Sequence, residues 1–316
     1  MVAAPIDRRT LISYVILTRN RAEDLKENLE YLAKQAYSPL EVVVVVNGPD
    51  DETRQLLRDK FSWVRVISNS KNLGVTGGRN AGIKNADGEI IICIDDDAVI
   101  KDPSATQRVA QYFRVMPELG ALAFSERMYL DPSQYLNWYF PGRLPEHDGQ
   151  NHFETYYYPG AGHALRASAL NETGLYPERY FYSTEEKDLS YRLIDRGYRI
   201  WYTPDIQVHH KESPKGRNYY RGYHELRNHI WFGMRHLPVG KAIGYSIVWI
   251  AYTSVRAFPR QLGAVPRALS EAWQHRAEIL RERKVLKPDT FARMRELRSL
   301  RTELTRKFRQ FKRVVS

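Results

Sequence analysis

The chain is poor in cysteine and has no long apolar run. Cys93 is the only cysteine in 316 residues, which excludes an intrachain disulfide and fits a reducing compartment. No apolar stretch approaches the ~18 residues that a membrane-spanning helix needs. The first ten residues lack the apolar stretch of a secretory signal. We therefore expect a cytoplasmic protein without a spanning helix.

Two widespread phosphate-binding motifs are also missing. The chain contains neither a G-x-G-x-x-G fingerprint nor a G-x-x-x-x-G-K-[ST] loop. The sequence therefore predicts neither a dinucleotide fingerprint nor a P-loop.

Positive charge is concentrated at the C-terminal end. The net charge is +11, and from Arg276 onward 14 Lys/Arg stand against five Asp/Glu, so the rest of the chain is close to neutral. A basic tail of this kind suits an anionic membrane surface, a nucleic acid or an acidic polymer.

Alternating apolar segments predict an α/β fold. Four segments are predicted as strands, at 11–18, 40–46, 64–68 and 89–94, with helical patterns between them. This rhythm predicts a mostly parallel sheet with helices on both faces. Polar clusters at 18–21, 47–51 and 95–97 then meet at the edge where such sheets bind ligands.

The second half of the chain is less regular. We predict helices at 104–116, 165–175, 184–196 and 219–236, and strands at 120–129 and 200–202. The aromatic, turn-rich stretch 135–158 is predicted to be a substrate-facing excursion. A highly charged helical segment is predicted from 271 to the end.

Three consecutive carboxylates follow the fourth predicted strand. Oxygen ligands from Asp95, Asp96 and Asp97 suit a hard divalent cation, Mg²⁺ or Mn²⁺. A neutral imidazole from His209 or His210 could join that metal set. The alternatives are a solvated acidic turn and an ordinary pair of surface histidines.

Two further motifs carry chemistry. The stretch NLGVTGGRNAG at 72–82 permits close backbone approach, and Arg79 adds a positive charge suited to a diphosphate, with a flexible turn as the alternative. The stretch STEEKDLSYR at 183–192 carries Glu185, Glu186 and Asp188, and a carboxylate there could take a proton from an attacking hydroxyl. An ordinary acidic helix start is the alternative.

Together these motifs resemble glycosyltransferase family 2, nucleotide-sugar transferases with a GT-A fold. They stand in the family's order over residues 11–235: TRNR at 18–21, NGPDD at 47–51, NLGVTGGRNAG at 72–82, DDD at 95–97, GAG at 160–162, EEKDLSYR at 185–192 and VHH at 208–210. The resemblance implies a catalytic domain at 1–235, with a nucleotide-sugar half at about 1–100 and an acceptor half at about 101–235. A helical, basic region follows at 236–316.

The resemblance also implies a role for each motif. The nucleotide-sugar pocket would be lined by Thr18, Arg21, Asn47, Asp50, Asn72, Gly78, Arg79, Asp95 and Asp96. The metal, Mn²⁺ or Mg²⁺, would be held by Asp97 with Asp95 and with His209 or His210. The sugar and acceptor pocket would contain Gly160, Ala161, Gly162 and Asp188. Glu186 would be the catalytic base, with Glu185 as the alternative.

The implied reaction is an inverting transfer of a sugar to a hydroxyl. The donor would be a UDP-, GDP- or dTDP-linked hexose or deoxyhexose, and the acceptor a saccharide or a lipid-linked molecule in cell-surface polysaccharide or glycolipid synthesis. Val46 stands where the family often has Asp, which leaves the donor base open. Glu185 and Glu186 stand where the family often has Glu-Asp, which leaves two candidate bases.

Two other functions fit parts of the sequence. A sugar nucleotidyltransferase would need a glycine-rich, basic loop directly after the first strand, where this chain has TRNRAEDL. A non-enzymatic nucleic-acid or scaffold protein would rest on the basic tail alone, and the near-neutral body argues against it.

Residues 241–260 predict a helix at a membrane surface. An apolar core of about 11 residues is too short to span a bilayer, and it carries Trp249 and Tyr252 with Lys241, Arg256 and Arg260 at its flanks. We expect a peripheral protein on the anionic inner face of the cell membrane. A helix packed on the catalytic domain or in a dimer interface is the alternative.

Overall fold

A computed structural model describes residues 10–136, 140, 143, 145–212, 221–257 and 263–298. Parts of the stretch 135–158, the residue Arg260 and the tail from 299 onward lie outside the described residues, and so do the predictions made for them.

The first half alternates strands and helices as predicted. Its elements are β1 (Ile12–Thr18), α1 (Ala22–Leu32), β2 (Leu40–Asn47), α2 (Asp51–Lys60), β3 (Arg65–Asn69), α3 (Gly74–Lys84) and β4 (Ile90–Asp95). The four strands pair in parallel in the order β3-β2-β1-β4. Their Val- and Ile-rich runs suit strands that are covered on both faces.

The second half adds short helices and a long strand. Its elements are β5 (Ala98–Val99), α4 (Ala105–Val115), β6 (Leu119–Met128), α5 (Pro145–Asp148), β7 (Phe153–Thr155), β8 (Gly162–Arg166), α6 (Ala167–Thr173), a 3₁₀ turn (Glu178–Tyr180), α7 (Glu185–Asp195) and β9 (Arg199–His210). The helix predicted at 165–175 is shorter than expected because its first residues belong to β8. The strand predicted at 200–202 extends over 12 residues.

One nine-stranded sheet joins the two halves. Its order is β3-β2-β1-β4-β8-β6-β9-β5, with β7 paired to β9. The predicted sheet with flanking helices is confirmed, and it is mixed, since β8 runs antiparallel to both β4 and β6 while β6 and β9 are parallel. The antiparallel β8 brings the Gly160–Gly162 turn beside the end of β4, where the Asp95 N–H donates to the Ala161 carbonyl at 3.2 Å.

Apolar side chains cover both faces of the sheet. Along β2, Val42, Val44 and Val46 enter one buried cluster and Val43 enters the cluster on the other side. The alternation follows from the two-residue period of a strand. The polar residues that follow each strand are thereby held at the edge of a rigid layer.

The described residues after the sheet form five helices: α8 (Arg221–His236), α9 (Val239–Ala257), α10 (Ala264–Gln274), α11 (Arg276–Arg281) and α12 (Pro288–Arg298). They pack against the residues around α7, with Tyr180 and Trp231 in one shared apolar cluster and Tyr191 and Phe232 in another. Among the described residues, no helix combines the length and apolarity needed to cross a membrane.

Candidate active site

A cleft of about 270 Å³ opens at the carboxyl edge of the parallel strands. Segments far apart in the sequence meet there, as the positions of the motifs predict. The predicted site residues that line the cleft are Thr18, Arg21, Asn47, Asn72, Arg79, Asp95, Asp96, Gly160, Ala161, Glu185, Glu186 and His210.

Three predicted pocket residues instead support the walls of the cleft. Asp50 caps α2 by accepting a hydrogen bond from the Thr53 N–H at 3.1 Å. Gly78 packs on the Leu17 side chain and Gly162 on the Val208 side chain, and a Cβ at either position would clash. Their absence from the lining follows from these packing roles.

Two carboxylates and one imidazole form a candidate cation site. Ligand atoms of Asp95, Asp97 and His210 all lie within 4.8 Å of one another. The antiparallel pairing of Ala98 with His210 brings β9 beside the residue that follows Asp97. Carboxylate oxygens with one imidazole fit Mn²⁺ or Mg²⁺.

His210 and not His209 belongs to this cluster. Successive side chains of a strand point to opposite faces, so only one of the two can reach the aspartates. Burial, with the charges of Lys101 and Arg127, lowers the pKa of His209 to about 4. The sequence allowed either histidine as the metal ligand. The position of His210 in the long strand β9 identifies it as the candidate ligand.

Glu126 holds the imidazole of His210 from the far side. His210 Nδ1 lies 2.6 Å from Glu126 Oε1, and its Nε2 lies 3.2 Å from Asp97 Oδ1. Burial acts to lower the pKa of His210, but the hydrogen bonds to Asp97 and Glu126 outweigh it and raise the pKa to about 10. Glu126 is a carboxylate that orients a candidate ligand, and the sequence did not single it out.

Arg79 connects the cation cluster to the carboxylates of α7. Its Nη1 donates to Glu186 Oε1 at 2.8 Å, and its Nη2 donates to Asp95 Oδ1 and to the Gly160 carbonyl, both at 2.8 Å. Burial acts to lower the pKa of Arg79, whereas the charges of Asp95 and Glu186 raise it well above its ordinary value. The guanidinium therefore stays charged and fixes two acidic groups at once.

The two glutamates at the start of α7 have different surroundings. Burial and the neighbouring Glu186 raise the pKa of the Glu185 carboxyl to about 8. A carboxyl that is protonated at neutral pH cannot accept a proton from a substrate. Glu186, which holds an ion pair with Arg79, is the member of the pair suited to that task.

A second arginine neutralises the other aspartates. Arg21 Nη1 lies 2.8 Å from Asp96 Oδ1 and 3.1 Å from Asp97 Oδ2. Burial raises the pKa of Asp96 to about 7, against the charge of Arg21 and with the help of the Asp97 charge. The negative charges of Asp95, Asp96 and Asp97 are thus balanced in part by Arg21, Arg79 and His210.

Asn47 and Asn72 shape the glycine-rich turn. Asn47 Nδ2 donates to Asn72 Oδ1 and to the Gly74 carbonyl at 3.0 Å, and the Leu73 N–H donates to Asn47 Oδ1 at 3.0 Å. These bonds fix the start of α3, and Arg79 projects from the same helix. The two asparagines therefore line the cleft and also hold its wall.

The segment before α7 is strained and clamped from both sides. Phe181, Ser183 and Thr184 have φ values of 63°, 72° and 74°, which are costly for residues with a side chain. Asn228 Nδ2 donates to the carbonyls of Tyr180, Tyr182 and Ser183 at 3.1, 2.8 and 2.7 Å. We refer to this contact of Asn228 as the α8 clamp.

The other side of the segment rests on α3. The Val75 N–H donates to the Phe181 carbonyl at 2.6 Å, and Gly74, at a φ of 73°, leaves no room for a Cβ beside Phe181. The backbone that leads to Glu186 is therefore fixed between two helices.

The sequence model of one protein family, described as glycosyl transferase family 2, matches residues 13–174, which is more than half of the chain. The chain belongs to glycosyl transferase family 2. A Haemophilus influenzae relative of uncharacterised function is 32% identical over 178 residues, covering 54% of this chain and 94% of that protein. A Staphylococcus epidermidis poly-beta-1,6-N-acetyl-D-glucosamine synthase is 27% identical over 119 residues, or 37% of this chain, and the match spans only 29% of that synthase.

Solved structures show that this family 2 chain has the GT-A fold. A Pyrobaculum calidifontis mannosyltransferase in complex with GDP-Man and Mn²⁺ aligns with a TM-score of 0.57 at 19% identity, covering 87% of this chain and 79% of that one. Staphylococcus aureus TarS 1-349 in complex with UDP-GlcNAc aligns with a TM-score of 0.61 at 18% identity, covering 85% and 81%.

A fourth predicted pocket residue of this glycosyltransferase, Asp188, is also absent from the lining of the cleft. Asp188 is fully buried; it contacts Arg192 Nε at 2.7 Å, Arg235 Nη1 at 3.1 Å and His236 Nε2 at 2.9 Å. Burial acts to raise the pKa of Asp188, but His236 and the two arginines lower it well below its ordinary value. In contrast to the prediction, Asp188 ties α7 to α8 and lines no part of the cleft.

Proposed function

We propose that the protein is an inverting glycosyltransferase that moves a sugar from a nucleoside-diphosphate sugar to a hydroxyl acceptor. The observation that carries the proposal is the placement of Arg79, which touches Asp95 of the cation cluster and Glu186 of α7 in one cleft. A transferase needs both groups within reach of one substrate.

The cation cluster supports a role for Mn²⁺ or Mg²⁺. Asp97, Asp95 and His210 would hold the ion, with His210 in its neutral form because metal binding releases the ring proton, and Glu126 orients the imidazole. A bound divalent cation would supply electrostatic stabilisation to the diphosphate as it leaves. The charges of Arg21 and Arg79 in the same cleft act in the same direction.

Glu186 is the proposed general base. Its carboxylate takes the proton of the acceptor hydroxyl as the hydroxyl oxygen attacks the anomeric carbon from the face opposite the diphosphate. One displacement inverts the anomeric centre. Arg79 holds Glu186 in place through an ion pair, whereas burial and the neighbouring Glu186 raise the pKa of the Glu185 carboxyl to about 8, which favours its protonated form.

The relatives lend support to a choice of donor and acceptor classes. We propose a UDP-, GDP- or dTDP-linked hexose or deoxyhexose donor, since similar folds are seen in complex with GDP-Man and with UDP-GlcNAc. We propose a saccharide or lipid-linked acceptor in cell-surface polysaccharide or glycolipid synthesis, supported by the similarity to a polysaccharide synthase. The reaction would take place at the cytoplasmic face of the membrane.

The test begins with a thermal-shift screen of UDP-, GDP- and dTDP-sugars with and without Mn²⁺. A donor that binds the folded state raises the unfolding midpoint by mass action. Turnover with that donor is then measured for Glu186→Gln and for Asp51→Asn, a control whose carboxylate is fully exposed. We expect Glu186→Gln to lose at least about 100-fold in kcat, the usual contribution of a general base, and the control to lose nothing.

The rival activities give different results. A sugar nucleotidyltransferase would release pyrophosphate from a nucleoside triphosphate and a sugar phosphate. A binding or scaffold protein would show no donor-dependent midpoint shift and no turnover. Either result contradicts the proposal.

A further inference from the structure

Helix α9 presents an apolar side to solvent. Its inner side packs on α8 and α10, while six of its large hydrophobic residues are exposed by 46–77%: Val239, Ile243, Ile247, Val248, Tyr252 and Val255. The helix contains no acidic residue, and its only basic residues are Lys241 and Arg256. A surface helix of a soluble protein normally turns charged and polar residues outward.

The neighbouring helices extend this patch. Trp273 of α10 is 64% exposed and Leu280 of α11 is 48% exposed. Between these helices and α9 lies a groove of about 480 Å³, lined almost wholly by apolar side chains, among them Ile243, Ile247 and Leu269. We call these eight exposed residues, six on α9 with Trp273 and Leu280, the α9 surface.

Most of the exposed large hydrophobic residues in the described part of the chain belong to the α9 surface. It holds eight of the 13 large hydrophobic side chains that are exposed in the described part of the chain. Contiguous apolar patches of this kind mark interaction sites on soluble proteins.

The helices that carry the α9 surface also carry exposed basic residues. Lys241, Arg267, Arg281 and Lys284 are exposed on α9, α10, α11 and just after α11. The acidic residues of this region pair with arginines that come before α9 in the sequence, as with Glu271 and Arg227 at 2.9 Å. The sequence beyond 298 adds six basic residues against one acidic residue.

The exposed apolar side chains and the basic residues together indicate what the α9 surface binds. An apolar face with Trp and Tyr, flanked by Lys and Arg, matches the boundary between acyl chains and anionic headgroups. A second copy of the chain would bring the same positive rim against itself, which disfavours a symmetric dimer. We propose that α9 lies in the plane of an anionic membrane and that the α9 surface docks the protein there.

The inner side of α9 connects this surface to the cleft. Lys187, the residue after Glu186, donates to the Tyr245 hydroxyl at 2.5 Å, and His229 stacks on Trp249 with ring centroids 3.4 Å apart. If the proposed function holds, a lipid-linked hydroxyl acceptor would reach the base from the face that meets the membrane. Docking itself does not depend on catalysis.

Liposome flotation of the full-length protein tests the proposal. Vesicles of phosphatidylcholine alone are compared with vesicles containing 30% phosphatidylglycerol (about one lipid in three), an anionic content that attracts basic segments. The test variant Ile247→Glu/Val248→Glu charges two positions that are 60% and 65% exposed. The matched control Val115→Glu/Leu130→Glu charges exposed positions on the catalytic half, 67% and 91% exposed.

We expect the wild type and the control to float with the anionic vesicles only. The test variant should lose at least about tenfold in partitioning, because two aliphatic side chains no longer enter the acyl boundary. Equal midpoints of thermal unfolding for the two variants would show that both are folded.

Three outcomes would overturn the proposal. One is no flotation of the wild type, and another is equal flotation with neutral and anionic vesicles. The third is light scattering that shows a wild-type dimer which the test variant converts to a monomer, with vesicle binding unchanged. Any one of these results contradicts membrane docking. Donor hydrolysis or transfer measured in solution tests the proposed function separately, so the failure of one proposal can be told from the failure of the other.

Discussion

The α8 clamp makes a direct prediction about catalysis. Asn228 is fully buried, and its side-chain amide donates hydrogen bonds to three backbone carbonyls of the segment that leads into α7. Asn228→Ala leaves those carbonyls without this donor. We expect the left-handed residues Phe181, Ser183 and Thr184 to relax, which moves Glu186 relative to Arg79.

The magnitude follows from the bonds that are lost. An amide supplies two N–H groups, and each net hydrogen bond contributes about 0.5–1.5 kcal/mol, so we expect a loss of about 1–3 kcal/mol of unfolding free energy. At ~2–4 °C per kcal/mol for a domain of this size, the unfolding midpoint should fall by roughly 2–12 °C. A displaced base should lower kcat by about 10- to 100-fold while the donor KM changes little, because misplacement by an ångström is costly.

The assay must separate positioning from stability. Val109→Ala serves as the control, because Val109 is 1% exposed on α4 and packs in the apolar cluster on the other side of the sheet from α7. Both variants should lose stability, and only Asn228→Ala should lose kcat at a temperature where both are folded. If Asn228→Ala keeps the kcat of the control, the clamp does not position Glu186 and the reasoning is wrong.

Three further predictions address the site and its supports. Gly160→Ala should lower kcat by about tenfold or more, because the added Cβ would displace the Glu186 carboxylate; Mn²⁺ binding measured by calorimetry should be unchanged. Asp188→Asn should cost about 3–5 kcal/mol at pH 7 by leaving buried arginines uncompensated. Since the folded pKa of Asp188 is depressed, the midpoint difference from wild type should shrink as the pH falls below ~4, and the acceptor KM should not change. Glu185→Gln should be more stable than wild type above pH 8 by about 2–4 kcal/mol. The pKa of Glu185 is about 8 in the folded protein and lower in the unfolded chain, so the unfolding free energy of the wild type falls as the pH rises from the unfolded pKa to the folded one. A Glu185→Gln variant that is inactive would instead identify Glu185 as the base.

The sequence was sufficient for the parallel half of the fold and weaker elsewhere. The run of Val in β2 and the run of Ile in β4 are typical of strands buried on both faces, and these strand predictions are confirmed. The helix predicted at 165–175 begins two residues too early, because the end of β8, Leu165 and Arg166, leads directly into α6 with no turn between them. The length of β9 was missed because Pro204 and Asp205 interrupt its pattern with residues typical of turns.

The motifs located the cleft because parallel strands bring their carboxyl ends together. Residues that act through antiparallel or helix contacts gave no such signal. Glu126 was visible only as a single acid in an apolar strand, and its bond to His210 depends on the pairing of β6 with β9. Asn228 acts through carbonyls 45–48 residues earlier in the chain, a relation that no local pattern encodes.

Asp188 illustrates the opposite error. It stands two residues after Glu186, but a helix turns about 200° over two residues, so the two side chains face different ways. Glu186 meets Arg79 in the cleft, and Asp188 meets Arg192, Arg235 and His236 behind it. One short acidic motif therefore places one carboxylate in the cleft and another where it fastens α7 to the C-terminal helices. Asp188 thereby joins the helix that carries the proposed base to α8, the helix on which α9 packs.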